Sequence, residues 1–127
     1  MHEFALCNDL VNAVLSAAEN QQANVARVLR VRIVIGKLRQ VVPDTMRLAF
    51  ESLARGTVAE NAQLEMDFRD ISAECSDCGW AGVLSACVFL CPQCSGRNVQ
   101  LTGGRELYLD QIEVEENGED EQRNPRV

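Results

Sequence analysis

Four cysteines form two C-x-x-C pairs, Cys75 with Cys78 and Cys91 with Cys94, and residues 79–90 separate the pairs. Two tight turns of this kind can each present two thiolates from one side. Zinc prefers four such ligands arranged as a tetrahedron. The spacing therefore predicts a closed zinc site in which these four cysteines are the ligands.

The same pairs allow two other interpretations. Thiolates also select iron, so a rubredoxin-like electron carrier is the main competing hypothesis. A thioredoxin-like redox motif would need one pair at a helix start, without a second pair facing it, and the pairing argues against that. Four thiolates leave no open position for a substrate, so the zinc is predicted to be structural and to supply folding energy to a small module.

Residues around the pairs fit this interpretation. Gly79 and Pro92 are turn residues, and we expect the turns to free backbone amides for hydrogen bonds to the sulfurs. Two further cysteines, Cys7 and Cys87, are predicted to be small buried apolar residues. Cys87 lies inside the intervening loop, where it is also a possible substitute ligand if the site is disturbed.

A second candidate site lies at the N-terminus. His2 is the only histidine and directly follows Met1. An imidazole, the α-amine of Met1 and deprotonated backbone amides are nitrogen donors that suit square-planar Ni(II) or Cu(II). The ordinary alternative is a solvated terminal histidine, with Glu3 complementing a helix dipole. The residues alone leave both interpretations open.

Composition narrows the class of protein. The chain has 127 residues, 46% of them hydrophobic, and a formal net charge of −7 with a sequence pI near 4.7. An acidic chain lacks the basic face with which proteins bind nucleic acid. No apolar run approaches a membrane span, and the start lacks the positive charge of a secretory signal. We therefore expect a cytoplasmic protein, whose cysteines stay reduced.

Hydrophobic periodicity predicts the elements that must position these residues. Helical spacing occurs over residues 4–21 and again from Pro43 to Gly56. The buried side of the second helix is expected to include Met46, Leu48, Ala49, Phe50 and Leu53. Alternating patterns predict strands over residues 25–35, 64–69 and 106–114, the last with a change of parity that indicates a bulge. The last two strands flank the cysteine module, which predicts that the module projects from a hairpin-like pair.

The predicted fold class is therefore α+β: a small three-stranded sheet with two helices, plus an inserted four-cysteine, zinc-ribbon-like domain. Residues 1–72 and 100–114 are assigned to the α/β domain, and residues 73–99 to the zinc domain. Residues 115–127 are acidic and polar, and we predict a disordered tail there. A catalytic triad and a phosphate-binding loop are both missing from the sequence, so we do not expect an enzyme.

Several segments resemble the HypA/HybF family of hydrogenase nickel-incorporation proteins. They are the start Met1-His2-Glu3 with Leu6-Cys7, then Ile35-Gly36-Lys37-Leu38, Val42-Pro43, Leu48-Ala49-Phe50 and the two C-x-x-C pairs. The order and spacing of these segments match the family from residue 1 to about residue 114.

The resemblance implies nickel binding by His2, helped by the amine of Met1 and by backbone amides including that of Glu3. It implies Zn(II) held by the four cysteines as a structural ion, and Ni(II) carried as cargo. The recipient would be the large-subunit precursor of [NiFe] hydrogenase, or in some members the urease machinery, with a HypB-type GTPase as partner. We predict a monomer or weak dimer. The alternative function is a zinc-ribbon protein–protein adaptor without a nickel role.

Two positions depart from the family pattern. The residue after the fourth cysteine is often glycine, but here Ser95 precedes Gly96, which is expected to alter hydrogen bonding to the sulfur of Cys94. A Glu-Gly-Ala segment is replaced by Glu60-Asn61-Ala62, which predicts a positive φ at Asn61.

Overall fold

The computed structural model describes residues 2–21, 24–85 and 88–117. The chain divides into two compact units. The first comprises Met1–Ile33, Val42–Met66 and Leu109–Val127, and the second comprises Val34–Val41 and Asp67–Tyr108. The predicted zinc domain, residues 73–99, falls inside the second unit, which includes further residues on both sides of it in the sequence.

Two helices pack against each other in the first unit: α1, His2–Glu19, and α2, Pro43–Ala54. Both lie close to their predicted positions. Apolar residues at helical spacing bury one side of α1, because side chains three and four residues apart share a face. The buried residues of α1 are Cys7, Leu10, Val11, Val14 and Ala18.

Pro43 begins α2, at a position where the missing N–H costs nothing. The buried side of the helix includes Met46, Ala49 and Phe50, as predicted, and Leu53 is half-buried. The expectation that Leu48 is buried was wrong, since 63% of it is exposed. Leu48 is two residues from Met46 and therefore lies about 200° around the helix from it, on the side facing solvent.

The three long strands form one sheet: β1, Val25–Gly36, β2, Gln63–Arg69, and β6, Leu107–Glu116. Their order is β2-β1-β6, so the prediction that the last two form a hairpin-like pair was wrong. The reason is the burial of β1, in which Val31 and residues 33–35 have no exposed surface. The most apolar strand takes the centre of the sheet, and the two more polar strands take its edges.

Cationic side chains of β1 pair with acidic side chains of both flanking strands in the first unit. Such exposed pairs each contribute at most about 1 kcal/mol, but they match the charge pattern of each strand to its neighbour. The pairs are Arg27–Glu115 at 2.5 Å, Arg30–Glu65 at 3.3 Å, Arg30–Glu113 at 3.5 Å and Arg32–Asp110 at 3.2 Å.

Strand β6 also corrects the predicted start of the tail. Glu115 and Glu116 belong to β6 and not to a disordered segment. The rest of the predicted tail, from position 118, lies outside the described residues. Within β6 the alternation of half-buried and exposed residues changes phase between Leu109 and Ile112, where the sequence predicted a change of parity.

The second unit contains a sheet that was not predicted from the sequence. Its antiparallel strands are β3, Ser72–Cys75, β4, Ala81–Val83, and β5, Val99–Gly103, in the order β4-β3-β5. Its buried core is small and consists of Ile71, Ala73 and Leu84, covered by the half-buried Leu38, Trp80, Val99 and Leu101. The two helices, the small sheets and the cysteine cluster confirm the predicted α+β class.

The backbone at Gly36 lies very close to the backbone at Gly104 in the second unit. The N–H of Gly36 donates to the carbonyl of Glu106 at 2.7 Å, and that of Leu38 donates to the carbonyl of Gly104 at 2.9 Å. A Cβ on Gly36 would lie 2.0 Å from the carbonyl oxygen of Gly104. Position 36 therefore requires glycine, and a short 3-10 helix, Lys37–Arg39, follows it.

Candidate metal centre

Each C-x-x-C pair lies in a turn that we call a knuckle, residues 75–80 for the first and 91–96 for the second. In the first knuckle the N–H of Cys75 donates to the carbonyl of Trp80 at 2.7 Å. The N–H of Gly79 donates back to the carbonyl of Cys75 at 2.9 Å, and Gly79 has a φ of +82°. These two bonds close the turn so that both thiols of the pair lie on the same side.

The second knuckle repeats this pattern of hydrogen bonds. The N–H of Cys91 donates to the carbonyl of Gly96 at 3.0 Å, and the N–H of Ser95 donates to the carbonyl of Cys91 at 2.8 Å. Ser95 has a φ of 62°. In each knuckle the first cysteine is buried and the second is exposed, so the two turns are related by an approximate symmetry.

The four Sγ atoms of the knuckles all lie within 4.8 Å of one another. The Sγ atoms of Cys75 and Cys94 are 3.7 Å apart, and those of Cys78 and Cys91 are 3.6 Å apart. A disulfide needs about 2.05 Å, so these pairs are not bonded. Zinc at about 2.3 Å from each sulfur would separate the sulfurs by about 3.8 Å, so the cluster fits a tetrahedral zinc ion.

Backbone N–H groups donate hydrogen bonds to the sulfur of Cys91, as expected from the turn residues in the sequence. The N–H groups of Gln93 and Cys94 donate to it at 3.3 and 3.4 Å. Desolvation raises the pKa of Cys91, but these two hydrogen bonds and the thiols of Cys78 and Cys94 outweigh it, and the pKa falls to about 7. The thiol of Cys91 therefore ionises near neutral pH.

The pKa of the second cysteine in each knuckle is raised, in contrast to that of Cys91. A backbone hydrogen bond from Gly96 lowers the pKa of Cys94, but desolvation and the neighbouring thiols raise it to about 12. A backbone hydrogen bond from Trp80 likewise lowers the pKa of Cys78, and desolvation with the thiols of Cys91 and Cys75 gives a net rise. Several negative sulfurs at this distance repel one another, so a bound cation is needed before all of them ionise.

The cluster is the one group of three or more cysteine, histidine or acidic residues in the described part of the chain that could share a metal ion. Zinc bound there would be held by Cys75, Cys78, Cys91 and Cys94, and it would supply folding energy to a unit with a small core. All four positions of the tetrahedron are taken by protein sulfur, which is the pattern of structural and not of catalytic zinc.

The N-terminal candidates are described only in part. Met1 and the side chain of His2 lie outside the described residues, and α1 begins at His2. The Glu3 side chain is half-buried, and its carboxylate accepts a hydrogen bond from the backbone N–H of Val42 at 3.1 Å. This bond joins the first turn of α1 to the residue before α2. The sequence carries no signal for it, because the partners are 39 residues apart.

The predicted burial of Cys7 is confirmed, with no exposed surface. Its S–H donates to the carbonyl oxygen of Met46 at 3.4 Å, and its sulfur lies 3.5 Å from that of Met46. Burial, with a smaller contribution from the charge of Glu3, raises the pKa of Cys7 to about 11. Cys87 lies outside the described residues, so its predicted burial stays a prediction.

The two departures from the family pattern both concern backbone conformation. Asn61 has a φ of 69°, which confirms the predicted positive value. Ser95 also has a positive φ, which was not predicted, because the expectation at this position concerned only hydrogen bonding to the sulfur of Cys94. That sulfur is hydrogen-bonded by the backbone of Gly96, the residue after the substitution.

Among the described residues, no helix has the length and hydrophobicity that a membrane span requires.

Comparison with known proteins identifies relatives along nearly the whole chain. A family model described as "Hydrogenase/urease nickel incorporation, metallochaperone, hypA" matches residues 1–114. The hydrogenase maturation factor HypA of Desulfitobacterium hafniense is 33% identical over 116 residues, 91% of this chain and 100% of that protein. The factor of the same name from Xanthobacter autotrophicus is 37% identical over 114 residues, 90% of this chain and 99% of that protein.

The fold has relatives among solved structures. The solution structure of the Ni metallochaperone HypA from Helicobacter pylori matches with a TM-score of 0.65 and 26% identity, covering 92% of this chain and 100% of that chain. The family resemblance seen in the sequence is thereby confirmed, together with the non-enzymatic class and the nickel cargo, and the cluster of four cysteines fits the predicted structural zinc ion. The chain belongs to the HypA family of nickel-incorporation metallochaperones for hydrogenase and urease.

Proposed function

We propose that this chain binds one Ni(II) ion at its N-terminus through the imidazole of His2, the α-amine of Met1 and backbone amides including that of Glu3. The observation that carries the proposal is the start of α1 at His2. The first N–H groups of an α-helix have no carbonyl acceptor within the helix. Amides at this position can lose their protons to a metal without breaking a helical hydrogen bond.

The cargo is delivered to the large-subunit precursor of [NiFe] hydrogenase in the cytoplasm, with a HypB-type GTPase as partner. Membership of a hydrogenase and urease nickel-incorporation family supports this assignment, and urease machinery is the alternative recipient. The nickel is released by competition, because protons and a stronger donor set in the recipient both displace terminal nitrogens. Acidification therefore weakens nickel binding.

The zinc ion has no part in holding the cargo. Four thiolates at tetrahedral separations leave no site on zinc for a fifth protein group, and they lie in a different compact unit from α1. Zinc keeps the second unit folded, and nickel occupies nitrogen donors in the first. The two metals are thus separated by ligand type, since thiolates select zinc and amide nitrogens select square-planar Ni(II).

Nickel titration of the zinc-loaded full chain tests this proposal. We expect one nickel ion per chain, with the absorption of a square-planar Ni(II) complex, alongside one zinc ion. His2→Ala is expected to abolish high-affinity nickel uptake and leave the zinc content unchanged. Adding one residue before Met1 displaces the α-amine and is expected to weaken nickel binding at least about tenfold.

The control is Asn12→Ala, which changes an exposed residue of the same helix. It should bind nickel as the unaltered chain does. If His2→Ala takes up nickel with the affinity and spectrum of the unaltered chain, the N-terminal site is wrong. If neither protein binds nickel and both hold zinc, the result supports the adaptor hypothesis instead.

A further inference from the structure

Three consecutive apolar residues are exposed in the second unit, directly before Cys91. Val88 is 55% exposed, Phe89 45% and Leu90 44%. Single exposed apolar residues are common, but a run of three is unusual on a chain with a net charge of −7. None of the three belongs to the described core of the second unit. An exposed apolar run of this kind is typical of a surface that contacts another molecule.

Phe89 forms one wall of an open groove of about 830 Å³. The floor of the groove is aliphatic, with Val99 and Leu101 from β5 and Leu38 from the 3-10 helix. These three side chains also cover the small core of the second unit, and all are only partly buried. An apolar side chain placed in the groove would remove their exposed surface from water.

Two cationic residues, Arg39 and Arg105, line this groove. The Nε of Arg39 donates to the backbone carbonyl of Arg105 at 2.9 Å, which holds the first guanidinium beside the second residue. Among the described residues that line the groove are these two arginines and no carboxylate. On an acidic protein, this is a local positive site next to an apolar floor, and it is complementary to an acidic ligand.

The backbone beside the groove favours an extended ligand. Gln100, between Val99 and Leu101, lines the groove as well, so the groove runs along β5. In the order β4-β3-β5 this strand is at an edge of its sheet. Edge strands accept extended peptides, with alternate side chains of the peptide entering pockets.

We propose that this groove is a docking site for an extended segment of a partner protein in which apolar side chains alternate with aspartate or glutamate. The apolar side chain packs on Val99, Leu101 and Phe89, and a carboxylate pairs with Arg105. The groove shares no residue with the proposed nickel ligands, so this proposal does not depend on the nickel assignment.

The test uses the zinc-loaded full chain and a fluorescent, end-capped eight-residue peptide of alternating leucine and aspartate, with binding measured by anisotropy. We expect saturable binding that weakens as salt is raised. Arg105→Glu is expected to weaken binding at least tenfold and Phe89→Ser at least fivefold. Matched controls are Arg55→Glu, with the same charge change, and Leu48→Ser, an equally apolar exposed position in the first unit; both should stay within twofold.

Three peptide outcomes would overturn the proposal. They are no saturable binding at about 1 mM protein, equal binding of a leucine–lysine peptide, and equal binding of a serine–aspartate peptide. A concentration-dependent dimer that Phe89→Ser abolishes would show that a second copy covers the groove, which also overturns it. Unchanged zinc content and nickel uptake in the variants would confirm that they fold and that the groove acts independently of the cargo site.

Discussion

Ser95 occupies, in the second knuckle, the place that Gly79 occupies in the first. Each donates its backbone N–H to the carbonyl of the cysteine four residues earlier, Cys91 or Cys75. Each has a positive φ, 62° for Ser95 and +82° for Gly79. Nothing lies within 4 Å of a Cβ built on Gly79, so the conformation, not a steric clash, favours glycine at these positions.

Ser95→Gly is expected to raise the free energy of unfolding of the zinc-loaded protein by about 0.5–1 kcal/mol, because glycine adopts positive φ without strain. Gly79→Ser is the reciprocal change and should lower it by about 1 kcal/mol. Urea unfolding of both variants at saturating zinc measures the two values. Shifts of the same sign would show that the knuckles are not equivalent.

Gly36→Ala is expected to destabilise the protein by more than about 3 kcal/mol or prevent folding, because its Cβ would lie 2.0 Å from the carbonyl oxygen of Gly104. Gly56→Ala is the matched control. Gly56 has a φ of +80° and nothing within 4 Å of a Cβ, so that change should cost about 1 kcal/mol. Thermal unfolding compares them, and equal losses would mean that the close approach does not limit position 36.

Much of the fold follows from periodicity alone. Helices α1 and α2 and strands β1, β2 and β6 are long enough for a repeat of 3.6 or two residues to be visible. Strands β3, β4 and β5 have four, three and five residues, and their pairing depends on partners distant in the chain. The order of the strands within the larger sheet could not be predicted either. The strands β2 and β6 flank the cysteine module along the chain, and this position favoured pairing them with each other.

The cysteine site was predictable because its chemistry is local. Each knuckle is complete within six residues, and the ligand type and spacing identify the ion. The contact between Glu3 and Val42 depends on tertiary packing and could not be predicted. Leu48 was assigned to the buried side of α2 because apolar character alone does not give the direction of a side chain on a helix.

Zinc removal is expected to disrupt the second unit and leave the helices of the first unit largely formed. The single tryptophan, Trp80, is half-buried in the first knuckle and partly covers the core, so its emission should shift to longer wavelength when a chelator is added. Far-UV circular dichroism reports the helices. An unchanged emission after the zinc has been shown to leave would mean that the thiols hold the unit without metal.

Zinc affinity is expected to fall as pH decreases through 7. The pKa of Cys91 is about 7, so below that value its thiol gains a proton, which zinc must displace in addition to the proton of Cys94, whose pKa is about 12. Competition with a chelator of known proton affinity at pH 6, 7 and 8 measures this dependence. Cys7→Ser, outside the cluster, should leave the slope unchanged, and a pH-independent affinity would contradict the proposed protonation states.

Cys7 is expected to resist alkylation in the folded protein. Its pKa rises from the ordinary value of 9.0 to about 11, because burial and then the charge of Glu3 oppose ionisation. At pH 8 the thiolate fraction is therefore about a hundredfold lower than for an unshifted thiol, and the buried sulfur is also shielded from the reagent. Iodoacetamide labelling followed by peptide mass spectrometry measures the rate, with the urea-unfolded chain as the control. Labelling of Cys7 in the folded chain at the unfolded rate would show that α1 does not stay packed against α2.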